Sequence, residues 1–470
     1  MDNNKEKLLH IAMFPWLAYG HIMPFFEVAK FIAQKGHHIS YISTPKNISR
    51  LPQLPTSLSP NFSFVELALP HVEGLPLEVE STAELPIPKI PYLKKAYDLL
   101  QLPLTHFLRN SDVNWVIVDF AAHWLPSAAS QLGVNSVFFS IFNATSISFV
   151  GPPSELLNGR RQKPEDFTVV PDWIDFPSNV AFKLHEVVSH QECMESTSDY
   201  QRFGVVIRDC RVVTVRSCPD FEPEAFSLLS RLLQKPVLPV GLLPPTVQDT
   251  ASSSDDDEKW QVFKNWLDDK KEKSVVYVAL GTEATLSQEL MHELAYGLEK
   301  SGLSFIWVVK DRPLVEREMG PCLIPTGFQD RVSDRGLVWK SWVPQQRILA
   351  HPSVGGFLTH SGWSSVIEAL GLGRVLILFS GANSDTGLVA RLMHSKRVGM
   401  EIERNEQDGS FTSESVAESI RRVMVDPEGE TLRANAWAMR DIFSNRDLHN
   451  KYLNEFTRFI ENDTASTRSL

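Results

Sequence analysis

The chain has 470 residues, 43% hydrophobic and 22% charged, with a formal net charge of −11. That length exceeds what one hydrophobic core serves and predicts two domains. The acidic balance argues against a nucleic-acid or anionic-membrane surface, both of which need clustered Lys and Arg, so small molecules are the expected partners. The four cysteines, Cys193, Cys210, Cys218 and Cys322, show neither CxxC spacing nor neighbouring His ligands, and indicate no zinc site and no disulfide framework. The N-terminal residues mix charges of both signs, and Pro15 and Gly20 interrupt the apolar stretch behind them. No signal peptide or membrane span is expected, and the cytoplasm is the expected compartment.

In chain order, residues 8–14 read as a buried strand, 16–21 as a loop, 22–34 as a helix closed by Gly36, and 38–43 as the next strand. Strand 115–119, helix 124–131 and strand 136–140 repeat the alternation. Residues 150–200 are Pro-rich and weakly periodic, which predicts irregular helices and loops. The run Ala251-Ser-Ser-Ser-Asp-Asp-Asp-Glu258 is too polar to order itself by burial and reads as a linker. Beyond it come strand 274–280, helix 287–300, strands 304–309, 336–340 and 354–359, helix 364–371, strand 375–379 and helix 385–395. Alternation of this kind predicts α/β architecture, with two Rossmann-like, doubly wound parallel sheets facing across a cleft. The expected domains are 1–245, a linker at 246–260, 261–445, and a C-terminal helix at 446–470 packing back on the first domain and ending in a frayed tail.

In open parallel sheets, ligands bind beyond the carboxyl ends of the strands, so the residues just after strands matter most. The stretch Phe357-Leu-Thr-His-Ser-Gly-Trp-Ser-Ser365 leaves a strand and enters a helix. Ser364 and Ser365 stand where a helix cap would stand, and His360, Gly362 and Trp363 occupy the loop before it, so the amides there face outward as an anion site. A plain capped turn is the alternative.

Trp342-Val343-Pro344-Gln345, the run from His351 through His360-Ser-Gly362-Trp363-Ser364-Ser365 to Glu368, and Asp385 together resemble the C-terminal signature of plant UDP-dependent glycosyltransferases of small molecules. That family has the two-Rossmann GT-B fold. The opening Phe14-Pro-Trp-Leu-Ala-Tyr-Gly-His21 and the run Asp119 to Pro126 are similar to a subgroup that extends flavonoid or terpenoid glycosides.

The resemblance implies a UDP-sugar held by the second domain and an acceptor held by the first. Trp342, with Val343 beside it, would stack on uracil, Gln345 would contact base and ribose, and Glu368 would accept from ribose hydroxyls. A half-buried tryptophan and a glutamate favourable to the helix dipole are the plainer readings. His360, Ser365 and the helix-start amides would cradle the diphosphate, with Thr282 as a further contact and no metal required. Ser140 and Asp385 would touch the sugar. His21 would be the general base, oriented by Asp119.

Four departures from the family pattern bear on the donor. Ser361 stands in place of a cysteine, Ser364 in place of an asparagine, and Thr386 in place of a glutamine. The segment from Phe379 to Thr386 is one residue longer than usual and lacks a proline. An unpaired sugar hydroxyl costs about 1–3 kcal/mol, which leaves glucose and other UDP-sugars open. On the acceptor side Trp16, Phe120, His123, Trp124, Phe142 and residues 70–95 are candidates for an apolar pocket, with Phe142 better suited to the core.

The expected activity is an inverting hexosyl-type transfer from a UDP-sugar to a hydroxyl of a small lipophilic metabolite or its glycoside, by a monomer. A UDP-sugar-binding protein with weakened catalysis is the alternative. A nicotinamide-dependent oxidoreductase needs GxGxxG after the first strand, where only Gly20 is found.

Overall fold

Among the described residues every strand-to-strand pairing is parallel, and the strands Trp115–Val118, Val212–Val215, Val275–Ala279 and Val375–Leu378 are buried along their whole length. The computed structural model describes residues 8–188, 197–245, 254–281, 286–309, 324–380 and 385–467. The first sheet has seven strands: β1 (His10–Phe14), β2 (His38–Ser43), β3 (Phe62–Glu66), β4 (Trp115–Val118), β5 (Asn135–Ser140), β6 (Val212–Val215) and β7 (Val237–Pro239). Their spatial order is β3-β2-β1-β4-β5-β6-β7. The second has six: β8 (Val275–Ala279), β9 (Ser304–Val308), β10 (Gly336–Trp339), β11 (Val354–Thr359), β12 (Val375–Leu378) and β13 (Gly399–Glu401), in the order β10-β9-β8-β11-β12-β13. Both sheets are doubly wound, as the alternation predicted. The strands missing from the sequence reading, β3, β6, β7 and β13, are short, and three of them are sheet edges. On β7, Pro239 is tolerated because an edge strand can spare a ladder donor.

In each sheet the winding reverses once, between β1 and β4 and between β8 and β11. Reversal parts the loops on either side and opens a crevice at the carboxyl ends of the central strands. His21 and Asp119 flank the first crevice, and Gly281 and His360 the second.

Two hydrophobic cores underlie the sheets. The first contains Leu453, Phe456 and Ile460 of the C-terminal helix Arg446–Thr467, far from their neighbours in sequence. On the same helix, Thr464 Oγ1 accepts from the indole of Trp115 on β4 at 2.6 Å. The second core takes in Phe149, Phe167, Val180, Phe221 and Leu242, all from before residue 245. Each lobe is thus completed by chain from the other half of the sequence.

Two local readings are corrected. Part of the run read as an unstructured linker, from Ser254 onward, is the start of the helix Ser254–Asp268. Asp257 bonds Arg347 at 2.8 Å, and Phe263 and Leu267 bury the far end of the helix. Residues 16–21 are not all loop either: the first helix runs Tyr19–Gln34, with Pro24 inside it. Burial of Ile22, Phe25 and Phe26 outweighs the poor helix propensity of Gly20 and Pro24.

Candidate active site

His21 lies in the first turn of the helix Tyr19–Gln34, which leaves the end of β1, and Asp119 lies one residue past β4. Since β1 and β4 are hydrogen-bonded neighbours, the two side chains meet: His21 Nδ1 and Asp119 Oδ2 are 2.8 Å apart. The carboxylate also accepts from the amides of Trp16 at 3.1 Å and Phe120 at 2.7 Å and is 1% exposed. Held at three points, Asp119 fixes the tautomer with hydrogen on Nδ1 and leaves Nε2 as the nitrogen able to take a proton. The rings of Phe120 and Phe142 stand 5.7 and 5.8 Å from the imidazole.

The second half of the site is built on the turn after β11. The helix Trp363–Gly371 begins at Gly362, which provides no side-chain cap, so Ser364 and Ser365 lie in the first turn and not at the cap position. The first-turn amides are left to an outside partner. Ser361 reaches that turn at φ +67, a left-handed conformation that costs a non-glycine residue roughly 1–2 kcal/mol. His360 packs between Gly281 and Gly362, where a Cβ at either glycine would collide with its ring, and Gly281 itself sits at φ +77. Burial pushes the His360 imidazole down to about 4, so it is neutral near pH 7, and its Nδ1 finds no partner among the described residues. A neutral ring there offers a hydrogen bond and no charge.

Trp342, just past β10, is 58% exposed, while Val343 behind it is buried. Gln345 is held at both ends of its amide: Tyr277 donates to Oε1 at 3.2 Å and Nε2 donates to Glu368 Oε2 at 2.8 Å. Burial raises the Glu368 carboxyl, partly offset by Gln345 and the charge of Arg216. Asp385 precedes the helix Thr386–Ser395, and Ser146 of the first lobe donates to it at 3.4 Å.

All these groups except Asp119, which stands behind His21, and the buried Ser361 face one cavity of about 2450 Å³ between the lobes. His21 is on one wall. On the other are Trp342, Val343, Gln345, His360, Gly362, Trp363, Ser364, Ser365, Glu368, Asp385 and Thr386. Thr282 lies outside the described residues, as do residues 381–384 of the lengthened segment.

Not every candidate lines this cavity. Ser140 does not reach the cavity: its hydroxyl is tied into the turn after β5 by the carbonyl and amide of Phe142, at 3.3 and 3.2 Å. His123 is drawn away by Arg202 at 3.1 Å, and Trp124 packs toward Phe14. Phe142 belongs to the first core, as expected, and its edge also lines the cavity with Trp16 and Phe120. Sequence reasoning missed Phe203, stacked on Phe120 at 4.8 Å, because it lies on a helix after the irregular region with no motif to mark it. Arg216, just past the unread strand β6, was missed for the same reason. Among the described residues there is no cluster of His, Cys, Asp and Glu that could hold a metal, and no helix long and apolar enough to cross a membrane.

A family described as UDP-glucoronosyl and UDP-glucosyl transferase matches residues 167–448. The chain belongs to this family. It is 50% identical to UDP-glycosyltransferase 91C1 of Arabidopsis thaliana, with all of both chains covered. It is 38% identical to soyasaponin III rhamnosyltransferase of Glycine max, over 96% of this chain and 95% of that one. The structure of Phytolacca americana UGT2 complexed with UDP-2fluoro-glucose and pterostilbene superposes with a TM-score of 0.73 at 26% identity, covering 96% of this chain and 99% of the other. The protein is a UDP-sugar glycosyltransferase of the GT-B fold. In this glycosyltransferase the imidazole–carboxylate pair and the open helix start face each other across the groove between the lobes.

Proposed function

We propose that the glycosyltransferase moves a sugar, with inversion, from a UDP-sugar to a hydroxyl of a small lipophilic plant metabolite or its glycoside, of flavonoid, terpenoid or other phenolic type. The observation that carries this is the single cavity holding His21 on one wall and the uncapped helix start on the other. Ordinary small-molecule pockets span roughly 300–1,000 Å³, so this one has room for a sugar nucleotide and a bulky acceptor together. The names of the relatives point the same way: one is a saponin rhamnosyltransferase, another an anthocyanidin-3-O-glucoside rhamnosyltransferase.

In this reading uracil lies on the Trp342 indole, Gln345 and Glu368 hold base and ribose, and Asp385 and Thr386 face the sugar. The diphosphate sits at the first-turn amides with Ser365 and His360. The acceptor hydroxyl lies among Trp16, Phe120 and Phe142 and gives its proton to His21 Nε2 as its oxygen attacks the anomeric carbon. The bond from that carbon to the diphosphate oxygen breaks on the opposite face, UDP departs with the bonding electrons, and the anomeric centre inverts. Negative charge developing on UDP is met by the helix start, which carries roughly half a positive charge, so no metal is needed.

The test is to incubate the protein with UDP-glucose, UDP-rhamnose and UDP-xylose against a panel of flavonoid and terpenoid aglycones and glycosides and to follow mass gain. Addition of a hexose, deoxyhexose or pentose names the donor. UDP binding without any product would instead favour a binding protein.

A further inference from the structure

Arg216 follows β6 in the first lobe and is 4% exposed, yet it lines the cavity on the side of the second lobe's helix start. Its backbone is fixed by two bonds: its amide donates to Ser140 O at 2.9 Å, and its carbonyl accepts from the Trp363 indole at 2.8 Å. Its guanidinium donates to Leu242 O at 3.0 Å and to Ser364 Oγ at 2.6 Å, both neutral acceptors. No carboxylate lies within ion-pair distance among the described residues, and Glu368 and Glu27 act on it only through space. Burial lowers the group to about 10, which leaves it charged at neutral pH. Three observations therefore meet at one wall: a buried cation without a counter-ion, first-turn amides without a cap, and the unpartnered Nδ1 of His360. A buried charge of this kind costs several kcal/mol unless an anion compensates it.

We propose that Arg216 is a donor-binding residue, a guanidinium carried by the acceptor-side lobe that contacts the diphosphate of the sugar nucleotide at the start of the helix Trp363–Gly371. The proposal rests on the placement of the diphosphate given above. A guanidinium already bonded to Ser364 can turn an N–H to a phosphate oxygen and form a charge-assisted bond. The diphosphate then bridges both lobes, and donor binding and closure of the groove become one event. As the glycosidic bond breaks, the cation stabilises the charge that collects on UDP.

The experiment compares dissociation constants for UDP and for uridine, which lacks the phosphates, in the wild type and in Arg216→Gln and Arg216→Lys. If wild-type protein fails to bind UDP, the donor site itself is misplaced and Arg216 falls with it. If it binds, Arg216→Gln is expected to weaken UDP roughly tenfold or more while uridine stays within about twofold, with Arg216→Lys in between. Equal weakening of both ligands would show a strut between the lobes, and no change in either would show a bystander. Both results overturn the proposal. Should Arg216→Gln not fold, Arg216→Lys decides alone: its ratio of UDP to uridine affinity must fall, and an unchanged ratio overturns the assignment.

Discussion

His21 Nδ1 and Asp119 Oδ2 lie 2.8 Å apart although 98 positions separate the residues in sequence, because the parallel neighbours β1 and β4 deliver them to the same edge of the sheet. In a site so arranged, His21→Ala removes the proton acceptor and leaves the opposite wall untouched. Turnover should fall by about 10²–10⁴-fold, with UDP binding retained. Asp119→Asn should lower turnover strongly as well, because the amide no longer enforces the tautomer. Steady-state UDP release, set beside thermal stabilisation by UDP, checks both. A loss of UDP binding in His21→Ala would contradict the division of roles between the walls.

Trp342 is more than half exposed and contributes little to the core. Base–aromatic stacking is worth roughly 1–3 kcal/mol, so Trp342→Ala should raise KM for the UDP-sugar about 5- to 100-fold with kcat little changed and the melting temperature nearly unmoved. A variant whose KM stays at the wild-type value would remove the tryptophan from the base site.

His360 titrates at about 4 in the folded protein against about 6.5 for an unperturbed imidazole. Between those values the unfolded chain binds more protons than the folded one. The contribution is therefore fully present above pH 6.5 and is lost as pH falls toward 4, at a cost of about 2 kcal/mol by pH 5. His449, also lowered to about 4 by burial, acts in the same direction, so the His360→Gln variant isolates the effect. Melting temperatures from pH 7 to pH 5 should decline less steeply in the variant than in the wild type. Parallel declines would mean that His360 is protonated as easily in the fold as out of it.

Phe456 on the C-terminal helix is 1% exposed in the first lobe's core. Phe456→Ala should cost about 3–5 kcal/mol. Glu455→Gln, at an exposed position on the same helix, should stay within about 0.5 kcal/mol. Calorimetric unfolding distinguishes them, and equal effects would show that the helix is not part of that core.

Much of this architecture is legible in the amino-acid order, because buried parallel strands such as Trp115–Val118 are continuous apolar runs and their helices keep an apolar stripe. The signature from Trp342 to Glu368 likewise sits on one wall of the groove. What escaped detection was decided by distant partners. The start of the first helix depended on burial of Ile22 and Phe25, and the acidic run at 254–258 depended on Phe263 and Leu267 packing later in the same helix. Ser140 was lost to a turn that no pattern announces, and Arg216 carried no signal because a cation after a short, unread strand looks like any surface arginine.

The helix Arg446–Thr467 is rooted in both lobes: its Tyr452 belongs to one core and its Leu453 to the other. A strut anchored in two bodies resists their sliding past one another. An alteration at that shared helix would therefore be felt in both lobes at once, even with every group in the groove intact.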